Sequence, residues 1–337
     1  MNLFIEITLF LFLFVLTPFK VFSQEYSAEN YPHVMISNGI IEALFFLPDT
    51  ENGFYQSSRY DWSGMIGQLK YKNHTFFMKR KSQLPHDPLN CGHGISLSEE
   101  FCIGTSSVKE PPRFSISKPG ETFMKISVGN LIKPDDGKPY QFSRNYKITD
   151  YGKRKIKKGK TWIEFTHELK DAFGFSYIYK KKIEFVKGKP ELIISHILKN
   201  TGNGTIIADQ YCHNFFIMDF ENICPDYQVQ LFFPAKFNAD LSNAAYFKDN
   251  RIYLTQEINN GSIFSVMEGM SDNPGDGHCV ITNTKTKTGV DISGDFPLSG
   301  FNFYADDNSI CPEFFIGINL EPGKTKTWKR TYKFFAE

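Results

Sequence analysis

The chain has 337 residues and a formal net charge of +1, with 38 Lys and Arg against 37 Asp and Glu. That balance excludes a global electrostatic pull toward nucleic acid or an anionic membrane surface. Phe (34) and Tyr (16) are abundant while Leu and Ala runs are scarce, a usage that favours strands over helices.

The N-terminal MNLFIEITLFLFLFVLTPFKVFSQ carries an apolar run from Leu9 to Leu16, with Val21 and Ser23 before Gln24. This is the pattern of a secretory signal peptide, although its first residues lack the usual Lys or Arg. The run is short for a membrane span, and Pro18 and Lys20 interrupt it. The expectation is a signal peptide over 1–23, one domain over 24–337, and a periplasmic or secreted protein without membrane insertion after cleavage.

Beyond that segment no apolar stripe with helical period is long enough to convince. Short alternating runs recur instead: VMISNGIIEALFFLPD, FMKISVGNLIKP, YKITDYGKRKIKKGKTWIEFTHEL and FSYIYKKKIEFVKGKPELIISHILKNTGNGTIIADQY. Turn signals such as Asn38-Gly39, Asp136-Gly137, Lys187-Gly188 and Pro322-Gly323 divide them. The pattern predicts an all-β chain of many antiparallel strands in one large sandwich. Residues 79–120, rich in Pro, Gly, His and Ser, are predicted to be long loops, where binding residues commonly sit. The basic stretch KRKIKKGK (153–160) reads as a solvated hairpin, or alternatively as a landing site for an anionic substrate.

The six cysteines (91, 102, 212, 224, 279, 311) are far apart and form no CxxC pattern. Export permits disulfides, but a chain of this size does not need them. No pair has zinc-ligand spacing, so no metal and no cofactor is expected.

Four places hold polar residues that a bare scaffold does not require. In DQYCHNFFIMD (209–219), strand alternation puts Tyr211 and His213 on one face. A lone strand histidine is more often core or surface furniture, but this pair can also exchange protons with a ligand. In SSRYDWSGMIG (57–67), Arg59 beside Tyr60 and Trp62 suits recognition of a sugar carboxylate or sulfate, because its planar fork binds oxyanions in two places. The competing reading is an Arg59–Asp61 ion pair with Trp62 in the core. The loop LPHDPLNCGHGISLSEEF (84–101) offers His86, Asp87, His93, Glu99 and Glu100, of which His86 is the candidate substrate contact. Glu313 opens an apolar strand in SICPEFFIGINLEPGKTKTW.

Together these pieces resemble a known group. His213-Asn214-Phe215-Phe216 resembles the His-x-aromatic-Phe strand of aldose 1-epimerases. Pro312-Glu313-Phe314-Phe315, followed by Glu321-Pro322-Gly323 and Trp328, resembles the final Glu-bearing strand and closing turn of the galactose mutarotase-like superfamily. The resemblance spans roughly residues 35–335. It implies a β-supersandwich with a sugar across one sheet, and His213 and Glu313 as acid and base. Two departures stand out. The second family histidine, expected in an Asn-x-x-His-Gly-Gly context, has only His86 and His93 in a different loop as counterparts, and RYDWSG is foreign to the epimerase pattern.

The chain is also similar to exported oligosaccharide dehydratases of ulvan breakdown. That likeness implies loss of water from a non-reducing-end glucuronic or iduronic acid of an anionic oligosaccharide, giving a 4,5-unsaturated uronate. Such an elimination needs a group that neutralises the carboxylate, a base for the C5 hydrogen and an acid for the departing 4-hydroxyl. Arg59 suits the first and His213 the second, since its ordinary pKa is near neutral. Tyr211 suits the third, with Glu313 or His86 as understudies. A mutarotase needs only an acid and a base at C1 and O5, so Arg59 discriminates the two. A non-catalytic carbohydrate-binding module, with Tyr60 and Trp62 stacking on sugar rings, is the third reading.

Overall fold

The structure is a computed structural model and describes residues 30–77, 86–104, 109–237 and 243–337. The expected signal peptide over 1–23 lies outside the described residues. Strands take up 49% of the described residues, which contain no α-helix, and every strand pairing is antiparallel.

Two sheets form the sandwich. The larger has ten strands, running from Ala245–Lys248 through Arg251–Leu254, Tyr227–Leu231, His278–Asn283 and Thr288–Gly294 to Thr325–Ala336 at its centre. It continues through Glu191–Asn200, Ser176–Phe185 and Trp162–Lys170 to the edge strand Lys153–Lys158. The smaller has six strands, in the order Lys236–Phe237, Ser262–Glu268, Gly300–Asp306, Ser309–Leu320, Ile206–Cys212 and Glu99–Phe101. Four-stranded (residues 33–75) and three-stranded (residues 122–150) sheets complete the architecture.

Alternation decides which side chains enter the space between the two large sheets. Leu192, Ile194 and Leu198 from one strand and Trp328, Tyr332 and Phe334 from its neighbour point inward, where they meet Ala208, Cys212, Phe314 and Ile316 of the smaller sheet. The turn signals hold where they were read: Gly188 and Gly323 both have a φ of 75°, which costs a glycine nothing sterically. The basic stretch is itself a strand at the sheet edge, with its lysines exposed. Charged side chains on an unpaired edge discourage pairing with another chain.

The inter-sheet space is not purely apolar. Glu99 sits there fully buried, 2.7 Å from Lys181, 3.2 Å from His196 and 3.0 Å from Arg330. Lys181 also reaches Asp61 at 3.4 Å. Burial alone would raise the Glu99 pKa, but His196 and Lys181 outweigh it and hold the carboxyl well below its ordinary value. Nearby, His167 is fixed as a neutral ring between the Tyr177 hydroxyl (2.9 Å) and the Tyr151 carbonyl (2.9 Å).

Burial first, then the Arg154 charge, push the His167 pKa down to about 3. An unfolded histidine titrates near 6.5, so below that pH the unfolded state binds a proton that the folded state refuses. Stability is therefore complete above about pH 6.5 and falls by roughly 1.4 kcal/mol per pH unit toward pH 3. His196, lowered mainly by burial, steepens the same limb. Urea denaturation at pH 7 and pH 5 should show this loss, and His167→Gln should flatten it. An unchanged pH slope in that variant refutes the assignment.

Candidate active site

The site is built on the face of the six-stranded sheet that points away from the ten-stranded one. The short strand Glu99–Phe101 pairs with Ile206–Cys212 so that Tyr211 lies opposite Glu100 and Cys212 opposite Glu99. Because neighbours in a strand point to opposite faces, Glu99 enters the core network while Glu100 and Tyr211 face the site. On the other flank, Ser309–Leu320 presents Glu313 opposite Asn302 of the next strand.

His213 lies just past the strand end at Cys212, not within a longer strand. Its backbone N–H donates to the Ser98 carbonyl (2.8 Å). Asn214 follows with a left-handed φ of 56°. Its side-chain amide donates to the Pro312 carbonyl (2.6 Å) and accepts from the buried Tyr332 hydroxyl (2.9 Å). This clamp leaves the His213 Nδ1 3.3 Å from Glu313 Oε1. The imidazole stacks on Phe215 (3.8 Å between centroids) and meets Tyr304 and Tyr60 edge-on.

Glu313 is buried, and burial first of all raises its pKa well above the ordinary carboxylate value. Arg59 and the Asn302 side chain pull it down without cancelling the effect, and Glu100 adds to it. Burial therefore favours the protonated carboxyl. The site thus places a carboxyl that favours its proton against an imidazole.

Beside this pair stands a second group. Arg59 Nε donates to Glu100 Oε2 at 2.9 Å, and its Nη2 donates to the Tyr211 hydroxyl at 3.1 Å. That hydroxyl in turn donates to Glu100 Oε2 at 2.8 Å. The guanidinium lies between the rings of Tyr60 (4.4 Å) and Phe142 (4.3 Å). Burial would lower the Arg59 pKa, but Tyr60 and Glu100 outweigh it and the charge is firmly held. Lys125 Nζ reaches Glu100 Oε1 at 3.2 Å and also donates to Tyr140 (2.9 Å). Two cations thus share one carboxylate. The next carboxylate along the strand, Asp209, accepts the Lys109 backbone N–H at 2.7 Å, and burial pushes its pKa up to about 6.

The structure brings together Tyr211, His213, Glu313, Arg59 and Tyr60 from the sequence expectations. It does not form the alternative Arg59–Asp61 pair, because Asp61 turns to Lys181 on the core side. Trp62 is placed elsewhere: only 2% exposed, it donates from Nε1 to the Ser57 carbonyl and packs against Tyr151 and Arg154, so no ring face is open to a sugar. His86 stacks on Phe54 and donates from Nε2 to the Phe54 carbonyl at 2.6 Å, in a group with Tyr31 and His93.

Lys125, Tyr140, Asn302 and Tyr304 were not anticipated. For Lys125 a signal existed, since a lysine inside the apolar alternation Phe123-Met124-Lys125-Ile126 cannot avoid burial as a free surface charge can. The loop bearing His93 also matters more than its sequence context suggests. Gly94 lies so close against the Tyr60 ring that a Cβ there would collide with it.

No family model matches the sequence, and no curated protein is similar to it in sequence. Solved structures are similar in fold. A putative aldose 1-epimerase from Escherichia coli K12 superposes with a TM-score of 0.56 at 10% identity, over 90% of this chain and 99% of that one. A galactose mutarotase-like protein from Lactobacillus casei ATCC 334 gives 0.54 at 11% identity, over 90% and 100%. One from Clostridium acetobutylicum gives 0.53 at 13%, over 90% and 95%. The sandwich is therefore galactose mutarotase-like in fold.

Proposed function

We propose that the protein is a carbohydrate-active dehydratase that removes water from the non-reducing-end uronic acid of algal, ulvan-type oligosaccharides. One observation carries the choice of an acidic sugar: Arg59 and Lys125 share the single carboxylate of Glu100, next to a Glu313 whose protonated form burial favours. Such a site favours a substrate that brings its own carboxylate. Arg59 Nη1 makes no hydrogen bond among the described residues and is the group offered to it.

In the reaction, the His213 imidazole takes the C5 proton, the C4–O bond breaks, and Glu313 gives its proton to the leaving hydroxyl. A C4=C5 double bond and water result. Imidazolium and carboxylate then stand 3.3 Å apart, close enough to return the proton and reset the site. Glu313 takes the acid role expected of Tyr211, because the Tyr211 hydrogen is engaged by Glu100. Tyr211 instead positions Arg59.

The same His213–Glu313 pair, on an epimerase-like fold, also suits mutarotation of a neutral aldose. Incubation with uronate-terminated oligosaccharides, followed by the ultraviolet absorbance of the conjugated double bond, separates the two. Arg59→Lys keeps the charge but loses the fork. It should raise KM for uronates about tenfold, the worth of one charged hydrogen bond, and leave neutral aldoses unaffected. Faster turnover of neutral aldoses than of uronates by the wild type refutes the dehydratase and favours the epimerase. Affinity without turnover on either would leave a binding module.

A further inference from the structure

The outer face of the ten-stranded sheet carries a second polar and aromatic arrangement, on the large sheet that does not bear the site. A shallow depression there is lined by Gln228, Gln230, Phe232, Arg251, Val280 and Thr282. Arg251 is held across it by two neutral amides: its Nε donates to Gln230 Oε1 (2.8 Å) and its Nη1 to Gln228 Oε1 (3.1 Å). Gln230 is itself pinned through its amide to the Leu231 and Asn250 carbonyls, at 3.0 Å each.

No carboxylate lies within ion-pair distance of Arg251 among the described residues. The residue directly opposite it in the Ala245–Lys248 and Arg251–Leu254 hairpin is Lys248, a second cation on the same face. Like charges opposed across two strands are destabilising, so the arrangement is one that an anion relieves. Asp291, the nearest acidic residue in that cross-strand row, is three strand spacings of about 4.8 Å away. It is occupied by His278 at 3.0 Å.

Aromatic pairs flank the cation. Tyr246 stacks on Tyr253 at 4.9 Å, and Phe232 stacks on His278 at 4.0 Å, the outer ring of each pair being about half exposed (Tyr246 47%, Phe232 51%). The two stacks are offset by roughly 13 Å along the Tyr227–Leu231 strand at about 3.3 Å per residue.

We propose that this face is a non-catalytic binding surface for an anionic oligosaccharide, one whose rings lie on the two aromatic stacks and whose carboxylate or sulfate meets Arg251 and Lys248. A pyranose matches the chemistry because it offers an apolar C–H face for the rings and hydroxyls for the glutamine amides. A nucleic acid would need a longer track of cations along its backbone than two. The surface does not depend on the chemistry at His213 and Glu313.

Electrophoresis of the whole chain through gels holding alginate, dextran sulfate or neutral dextran tests it. Retardation by alginate or dextran sulfate but not by dextran is expected, and which of the two retards tells carboxylate from sulfate. Lys248→Glu supplies the missing cross-strand carboxylate from within and should weaken retention about tenfold without lowering the melting temperature. Phe232→Ala should weaken it too, while His213→Gln should not. The proposal is overturned if neither anionic polymer retards the chain, or if Lys248→Glu binds like the wild type. It also fails if oligo(dT) of matched length binds as tightly, or if sedimentation shows a dimer that Lys248→Glu disperses.

Discussion

His213→Gln should lower turnover of a uronate oligosaccharide by roughly 10²- to 10⁴-fold, the usual worth of a general acid or base. The melting temperature should barely move. Gln keeps the volume and the Phe215 stack can persist, while the backbone contacts of residue 213 with Ser98 and the Asn214 clamp do not involve the imidazole. Glu313→Gln should be as damaging, because an amide has no proton of suitable acidity for the leaving hydroxyl. It should also abolish the alkaline limb of the pH–rate profile, which reports ionisation of an acid whose pKa burial has raised. Combining the two should cost much less than the product of the single losses, since the residues act as a unit. Full activity in either single variant would make the pair structural and remove the basis for a catalytic reading.

Glu99→Gln should produce the largest loss of stability. Lys181, Arg330 and His196 all converge on that carboxylate in a fully buried space. Without it, Lys181 keeps the longer contact to Asp61 (3.4 Å) and the Ser63 carbonyl (2.8 Å), and the Arg330 guanidinium keeps backbone carbonyls of Gln210 and Phe314. Removing one partner of a buried ion pair typically costs about 3–5 kcal/mol. For a domain of this size the fall in melting temperature is on the order of 10 °C. Simultaneous replacement of Glu99, Lys181 and Arg330 by apolar residues of similar volume, with Asp61→Asn to remove the charge that Lys181 also meets, should restore part of it, because the cost comes from uncompensated charge. Calorimetry of the two variants checks both statements, and a Glu99→Gln melting temperature equal to wild type refutes the network's role.

Most of the fold was legible because alternation and turn chemistry are local. The runs around Leu192–Leu198 and Ile206–Cys212 announce which side is buried, and Lys187-Gly188 and Pro322-Gly323 announce where the chain reverses. The site was legible only where local rules sufficed. Tyr211 and His213 do approach each other, at 6.1 Å between centroids, although a strand end and a left-handed Asn214 position the histidine. What stayed hidden depends on register between distant segments. Nothing near Arg59 shows that its partner is Glu100 and not Asp61, two residues away. That choice follows from how Glu99–Phe101 pairs with Ile206–Cys212. The partners of Lys125 and Lys181 stayed hidden for the same reason, their carboxylates arriving from far along the chain.

The pairing of Glu99 with the core and Glu100 with the site has a consequence for how the protein fails under heat. A three-residue strand is too short to distort at one end only, and the Asp61 N–H is bonded to the Glu99 carbonyl at 2.8 Å, which ties the Arg59 loop to it as well. Displacing Glu100 by an ångström drags Glu99 off Lys181 and Arg330. The face that carries Glu100, Tyr211 and Arg59 is therefore riveted to the core through one short strand, and loss of the proposed activity on warming should coincide with loss of the fold.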